Sequence, residues 1–347
     1  MNSRRWDLVA TLSVILCNYN HGKYVGRALE AILSQSRPAE QVIVVDDGST
    51  DDSVQIIGEW AARFPVIKFL QNEQNRGWHA SSARALTVVS GDYIYSAAAD
   101  DIVLPGFFEA VCRLLDQHPG VGIACTKVVA VTSAGDRISV DGYQHLPHAG
   151  AVSPAEYLRL CLDGESPTHS LSCATVYRRE WLQRAGGWRK ELGSWGDTFA
   201  IRVIGLQTGM AYAPVEGVAF THSPGGMSQS TLQTPFKLLS ILRRAAELMR
   251  SPEFAGVLPE GYATRWENAV VDEMALRPLQ PAIDGYQAVQ TVSRSVAANA
   301  SWPVRMLLGL LRRCMTLLYL ISHRVQFGVS RRNLLAQERQ HLSSTAE

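Results

Sequence analysis

Two apolar runs in this chain end in paired carboxylates, and that feature restricts the fold more than any other. Val42-Ile43-Val44-Val45 leads into Asp46-Asp47-Gly48-Ser49-Thr50-Asp51. Tyr93-Ile94-Tyr95-Ser96-Ala97-Ala98-Ala99 leads into Asp100-Asp101, with Pro105 just beyond. A short continuous apolar run closed by turn residues reads as a strand buried on both faces. In open α/β sheets, ligands bind outside the carboxyl ends of such strands. Two acidic strand ends in one domain therefore predict a pocket for a polar, cation-chelating ligand, and a nucleoside diphosphate fits that description.

The segments around these runs alternate in period. Ser13 to Cys17 reads as a strand, and after a polar turn Val25, Ala28, Leu29, Ile32 and Leu33 recur at helical spacing up to Pro38. Val42 to Val45 is the next strand. Ser49 or Thr50 is expected to cap the following helix, with Asp51 and Asp52 in its first turn. Val66 to Leu70, Ser81 to Val89, Asp92 to Ala97 and Phe107 to Leu115 continue as strand, helix, strand, helix. This alternation predicts a mostly parallel sheet with right-handed crossovers. Beyond Gly120 the pattern loosens. Val121 to Val131, Ala174 to Arg178 and Met210 to Ala213 read as strands, and Trp181 to Ala185 and Asp197 to Leu206 as helices. From Thr231 onward the chain is helical in character. The Gly/Ser/Gln/Thr stretch from Gly225 to Thr234 separates a domain over 1–230 from a helical region over 231–347.

Composition removes several classes. With 46% hydrophobic and 19% charged residues the chain is an ordinary globular protein, and a net charge of +1 predicts no nucleic-acid partner. The six cysteines include no CxxC pair, which suits unpaired thiols in a reducing compartment. His145 and His148 form an HxxH without a third ligand of recognisable spacing, so zinc is not expected. The first residues are polar and lack a signal-peptide core, and no uncharged apolar stretch reaches the length of a spanning helix. Taken as a helix, 303–324 gathers Arg305, Arg312 and His323 on one arc opposite Leu307, Leu311, Leu318 and Ile321. That pattern suits membrane-surface contact, and equally packing on the domain over 1–230 or on the second subunit of a homodimer. The expected location is cytoplasmic, peripheral at the inner face of the plasma membrane.

Neither GxGxxG nor GxxxxGK[ST] follows the first strand, so phosphates are not expected in a Gly-rich cradle. The acidic strand ends imply the other solution, Mg2+ or Mn2+ bridging carboxylate and diphosphate. Ser13-Val14-Ile15-Leu16-Cys17-Asn18-Tyr19-Asn20 and Val44-Val45-Asp46-Asp47-Gly48-Ser49-Thr50-Asp51 together resemble the opening of family 2 glycosyltransferases. Asn75-Arg76-Gly77, Arg84, Gly91-Asp92-Tyr93-Ile94, Asp100-Asp101, Pro105, Gly186-Gly187-Trp188, Asp197 and Arg202 continue the match in order, over roughly residues 11 to 230.

The resemblance implies the GT-A fold: a Rossmann-like, mostly parallel sheet flanked by helices, here with a C-terminal helical extension. It implies an inverting transfer from a nucleotide-sugar donor, a UDP-sugar, to a glycan or lipid-linked acceptor in bacterial surface polysaccharide synthesis. Nucleotide contacts fall on Cys17, Tyr19, Asp47, Arg84 and Ala99, with Asp47 reading the base. Metal contacts fall on Asp100, Asp101 and His222, and the catalytic base on Asp197. Arg202 is expected to orient Asp197, bind phosphate or form a surface ion pair, and Trp195 to wall a sugar face. Two departures stand out. Ala98 occupies the place where many members carry the first Asp of the D-x-D run, and Gly196 stands where many carry Glu before the base. The missing first Asp motivates an alternative, a catalytically silent sugar-nucleotide binder or assembly subunit. A sugar-phosphate nucleotidyltransferase is disfavoured, because Asn18 to Lys23 is not the Gly-rich basic loop of that class.

Overall fold

The computed structural model describes residues 10–161, 171–222 and 235–276, with isolated positions between 306 and 336. The stretch 225–234 and, apart from Met306, the segment 303–324 lie outside the described residues. In chain order the first half contains β1 (Leu12–Asn18), α1 (Gly22–Leu33), β2 (Gln41–Asp46), α2 (Ser53–Arg63), β3 (Ile67–Gln71), α3 (Trp78–Leu86), β4 (Tyr93–Ala98), β5 (Ile102–Val103) and α4 (Phe107–Gln117). The second half adds β6 (Ile123–Thr132), β7 (Arg137–Asp141), β8 (Gly150–Val152), α5 (Pro154–Arg159), β9 (Thr175–Arg178), α6 (Arg179–Arg184), α7 (Gly196–Thr208), β10 (Met210–His222), α8 (Pro235–Met249) and α9 (Tyr262–Leu276).

One sheet runs β3-β2-β1-β4-β9-β6-β10-β5, with β7 beside β6 and β8 beside β10. Strands β3, β2, β1, β4, β6 and β10 share one direction, and β9 lies antiparallel between β4 and β6. The α/β layering with a central, mostly parallel sheet is the one expected. Val14, Ile15, Leu16 and Val42 to Val45 are sealed on both faces because helices cover both sides. The periodic face of α1 (Val25, Ala28, Leu29, Ile32) and the stripe Phe107, Phe108, Val111, Cys112, Leu115 of α4 supply that cover.

Register brings the acidic ends together. Cys17 of β1 lies opposite both Val45 of β2 and Ala98 of β4, and Asp46 lies opposite Gln71 of β3. The carboxyl ends of four adjacent strands thus form one rim. Gly48 sits in the turn after β2 with φ of 73°, and a Cβ there would lie 2.6 Å from the Gln74 backbone. Only glycine combines that left-handed conformation with so close an approach.

Three expectations change in the folded chain. The second helix begins at Ser53 with no side-chain cap from Ser49 or Thr50. The Ser49 hydroxyl is used elsewhere, donating to Asp46 and accepting from the Asn20 backbone, while Asp51 accepts from the Ser53 and Gly22 backbones. The strand predicted over Met210 to Ala213 runs on to His222. Its register shifts around Glu216 interrupt the apolar alternation that would reveal the continuation. The third change concerns the helices beyond 230. Leu238, Leu239, Leu242 and Ala246 of α8 and Trp266, Val270 and Met274 of α9 join the same buried cluster as the sheet. The buried core is therefore continuous across the compositional division near 230.

Candidate active site

The two carboxylates after β2 are built into different tasks. Asp46 makes the turn: it accepts from the Ser49 backbone at 2.9 Å, the Ser49 hydroxyl at 2.6 Å and Asn18 Nδ2 at 2.9 Å. Asp47 reaches across to the loop after β3. One oxygen accepts from Asn72 Nδ2 at 2.7 Å and the Arg76 amide at 3.0 Å, and the other accepts from the Gly77 amide at 2.7 Å. Burial works to raise the Asp47 carboxyl, but the donors from Arg76, Asn72, Ser81 and Gly77 outweigh it and hold the group below the usual carboxylate range.

Arg84 extends this network. Its Nη1 donates to Asn72 Oδ1 at 2.6 Å and to the Gln71 carbonyl at 2.7 Å. Gln71, Asn72, Glu73, Gln74, Arg76 and Arg84 line an open cleft of about 480 Å³ directly beside Asp47. Cys17 adjoins the same carboxylate: burial, and then the Asp47 charge, push its thiol up to about 12, so it is a neutral packing group. Tyr19 is exposed at the mouth of the site. Ala99, one of the residues expected to contact the nucleotide, is buried as a whole, and Ala98 is exposed at the end of β4.

Asp100 and Asp101, in the segment between β4 and β5, meet the end of β10, where His222 lies. Thr221 donates its hydroxyl to the Asp100 carbonyl at 2.6 Å and its amide to the Asp101 carboxylate at 2.8 Å. His222, the next residue, is exposed beside this latch. Burial, with the charge of Asp100 adding to it, pushes Asp101 up to about 7 against the Thr221 hydrogen bond. The Asp101 carboxylate is thus committed to β10, whereas Asp100 is half-buried at the rim. Among the described residues no three His, Cys, Asp or Glu side chains form a metal cage. A small hard cation does not require one, since it binds through one or two protein carboxylates plus ligand and water oxygens. Asp100, with His222 next to its latch, fits that minimal donor set. His145 and His148 are both exposed.

Asp197 closes the rim from the other side. It lies in the first turn of α7 and accepts from the Thr198 amide at 2.6 Å. Burial raises its carboxyl above the usual range, opposed by hydrogen bonds from Thr198 and Ser172. Cys173 feels the charges of both Asp101 and Asp197, and its carbonyl accepts from Tyr95 of β4 at 2.8 Å. On the opposite flank, His79 of α3 approaches the Gly193 carbonyl at 3.0 Å and feels the charge of Asp197. Asp47, Asp100 and Asp197 therefore belong to one connected rim. Asn72, Gly77, His79 and Ser172 belong to it as well. The motif Asn75-Arg76-Gly77 pointed at the second of these, while the others carry no signal readable in isolation.

Two expectations for neighbours of Asp197 are corrected. Arg202 is only 2% exposed, so it is a buried group and not a surface one. Its guanidinium carbon stands 5.9 Å from the Trp195 ring and 5.7 Å from the Trp266 ring, and its Nη1 donates to the Tyr262 hydroxyl at 3.3 Å. Trp195 is not a sugar wall, because it is buried against Phe199 and Trp266. The helix α9 made both residues core. Gly196 has a packing reason of its own, since a Cβ there would lie 2.8 Å from the Arg189 carbonyl.

A sequence profile of glycosyl transferase family 2 matches residues 13–186. The uncharacterized glycosyltransferase YibD of Escherichia coli K12 is 28% identical over 169 residues, which are 49% of this chain and 48% of that protein. The chain spans about half the length of the curated relatives it matches. Staphylococcus aureus TarS 1-349 superposes with a TM-score of 0.60 at 20% identity, over 95% of this chain and 92% of that one. The same fragment has been crystallised with UDP-GlcNAc and with UDP. The mannosyltransferase PcManGT of Pyrobaculum calidifontis, in complex with GDP-Man and Mn2+, superposes with a TM-score of 0.54 at 17% identity, over 97% of this chain and 90% of that one. At these identities the structural likeness speaks for the fold, and the profile, which spans about half of the residues and both acidic strand ends, speaks for descent: the chain belongs to glycosyl transferase family 2.

Proposed function

We propose that the chain is an inverting glycosyltransferase that moves a sugar from a UDP-sugar to a hydroxyl of a glycan or lipid-linked acceptor in bacterial surface polysaccharide synthesis. The supporting observation is the opposed condition of two carboxylates on one rim, Asp47 held low by N–H donors and Asp197 held high by burial. An always-ionised Asp47 accepts a hydrogen bond from the ring N–H of the base, with Cys17 and Tyr19 flanking the ring. Arg84 keeps Asn72, and through it Asp47, in place.

Asp100 and His222 would hold Mg2+ or Mn2+, with Asp101 fixing Asp100 through the Thr221 latch. When bound, such a cation neutralises charge on the departing diphosphate. Asp197 takes the proton of the attacking hydroxyl. A carboxylate above the ordinary range is the stronger base, and a positioned general base contributes roughly 10²–10⁴-fold. Attack from the face opposite the diphosphate, in a single displacement, inverts the anomeric centre.

Among the described residues no helix is long and apolar enough to cross a membrane. A cytoplasmic site with peripheral attachment through 303–324, and a homodimer, complete the proposal. A thermal-shift screen of nucleotide sugars with and without Mn2+ tests it, because stabilisation follows RT ln(1 + [L]/Kd). UDP-sugars should raise the melting temperature most, and more with Mn2+ than without. No stabilisation by any nucleotide sugar would reject the reading. Binding without transfer over a broad acceptor panel would assign the silent binder that Ala98 suggests.

A further inference from the structure

We propose that His79 is a positioning residue for Asp197, the far end of a three-residue strap that ties the nucleotide side of the rim to the base. The inference rests on the roles given above to Asp47 and Asp197. Three consecutive residues at the start of α3 each make a different tie. The Gly77 amide donates to Asp47 at 2.7 Å. Trp78 packs on Trp188 with ring centroids 5.5 Å apart. His79 Nε2 meets the Gly193 carbonyl at 3.0 Å, so that nitrogen carries the proton.

Gly193 is the weak point that such a tie would hold. It has φ of 49° and ψ of −134° inside the 190–195 turn, a conformation essentially reserved for glycine. A turn of this kind persists only where its surroundings determine it, and it ends immediately before Gly196 and Asp197. The His79 ring also fills the space beside Gly196: a Cβ on that glycine would lie 3.4 Å from His79 Cε1. The glycine before Asp197 is thus backed by an imidazole from the Asp47 side of the rim. Burial holds His79 below its ordinary range, against the Gly193 and Trp188 backbone and the charges of Asp197 and Glu191, which work the other way. It is a neutral donor at neutral pH.

Two substitutions separate the hydrogen bond from the packing. His79→Phe keeps a ring against Gly196 and removes the donor to Gly193, whereas a glutamine amide can replace Nε2. Hydrogen exchange on the full chain without ligand needs no substrate. Amides 190–197 should exchange several-fold to about tenfold faster in His79→Phe, the scale of one neutral hydrogen bond, and as in wild type in His79→Gln. Equal exchange in all three proteins overturns the strap. UDP release from UDP-GlcNAc with Mn2+ then reads the rate. In His79→Phe kcat should fall about 10²-fold, the usual result of a misplaced catalytic group, with donor KM within about threefold and recovery in His79→Gln. An unchanged kcat in His79→Phe overturns the positioning role. A wild type that neither binds nor cleaves nucleotide sugars defeats the proposed function instead, and the exchange measurement still decides the strap.

Discussion

The loop that holds Asp47 and the turn that precedes Asp197 treat the same side chain in opposite ways. Around Asp47 the chain spends two backbone amides and an asparagine on the carboxylate, and Gly48 lets the loop after β3 come close enough to deliver them. Around Asp197 burial dominates, and Thr198 and Ser172 compensate only in part. The first arrangement stabilises a charge and, with it, the loop. The second leaves a charge poorly solvated, which costs stability and makes a better base. A carboxylate's role is set by the donors its neighbours supply more than by its place at a strand or helix end.

That contrast can be broken in four ways. The largest effect is expected at Asp197. Asp197→Asn should cut sugar transfer by at least about 10²-fold while UDP still raises the melting temperature, as thermal shift and product assays would read. Full transfer in this variant would remove Asp197 from the base role. Next comes Gly48→Ala, which forces a Cβ onto the Gln74 backbone at left-handed φ. Denaturant unfolding should show a loss of at least about 2 kcal/mol, combining the conformational and steric penalties. Asp47→Ala should cost about 1–3 kcal/mol, the value of stranded donors, and should weaken UDP binding as well. A variant that loses UDP affinity with stability unchanged would separate base reading from the latch.

The smallest effects concern pH, and their signs differ. The folded value of Asp47 is lowered, so its contribution to stability is present above the unfolded carboxylate value and is lost as pH falls through the folded one. The folded value of Asp197 is raised, so stability declines as pH rises from the unfolded value through the folded one. Catalysis needs Asp197 ionised, and the acid limb of kcat/KM should therefore lie above the ordinary carboxylate value near 3.9. An acid limb at or below that value would leave the two carboxylates alike.

Much of the Asp47 side of the rim was legible because it is local. Strand, turn and helix follow one another within a few residues, so the periods of Val42 to Val45 and of the α1 face report burial directly. The motif residues Asp47 and Asp100 then fall on one rim by strand topology, and Arg84 joins it through Asn72. The Asp197 side was harder. Arg202 could be read from its spacing to Asp197 as an orienting group, a phosphate ligand or a surface ion-pair partner, yet α9, more than fifty residues later, encloses it with Tyr262 and Trp266. His79 and Ser172 reach Asp197 from separate segments, and no spacing announces such a meeting.

Sequence alone determined the layered sheet and the line of acidic strand ends, since hydrophobic period and turn chemistry act between neighbours in the chain. Only the tertiary structure decided which carboxylate is latched and which is left high, because that depends on how many N–H and O–H donors distant segments bring to each oxygen and how much water they exclude.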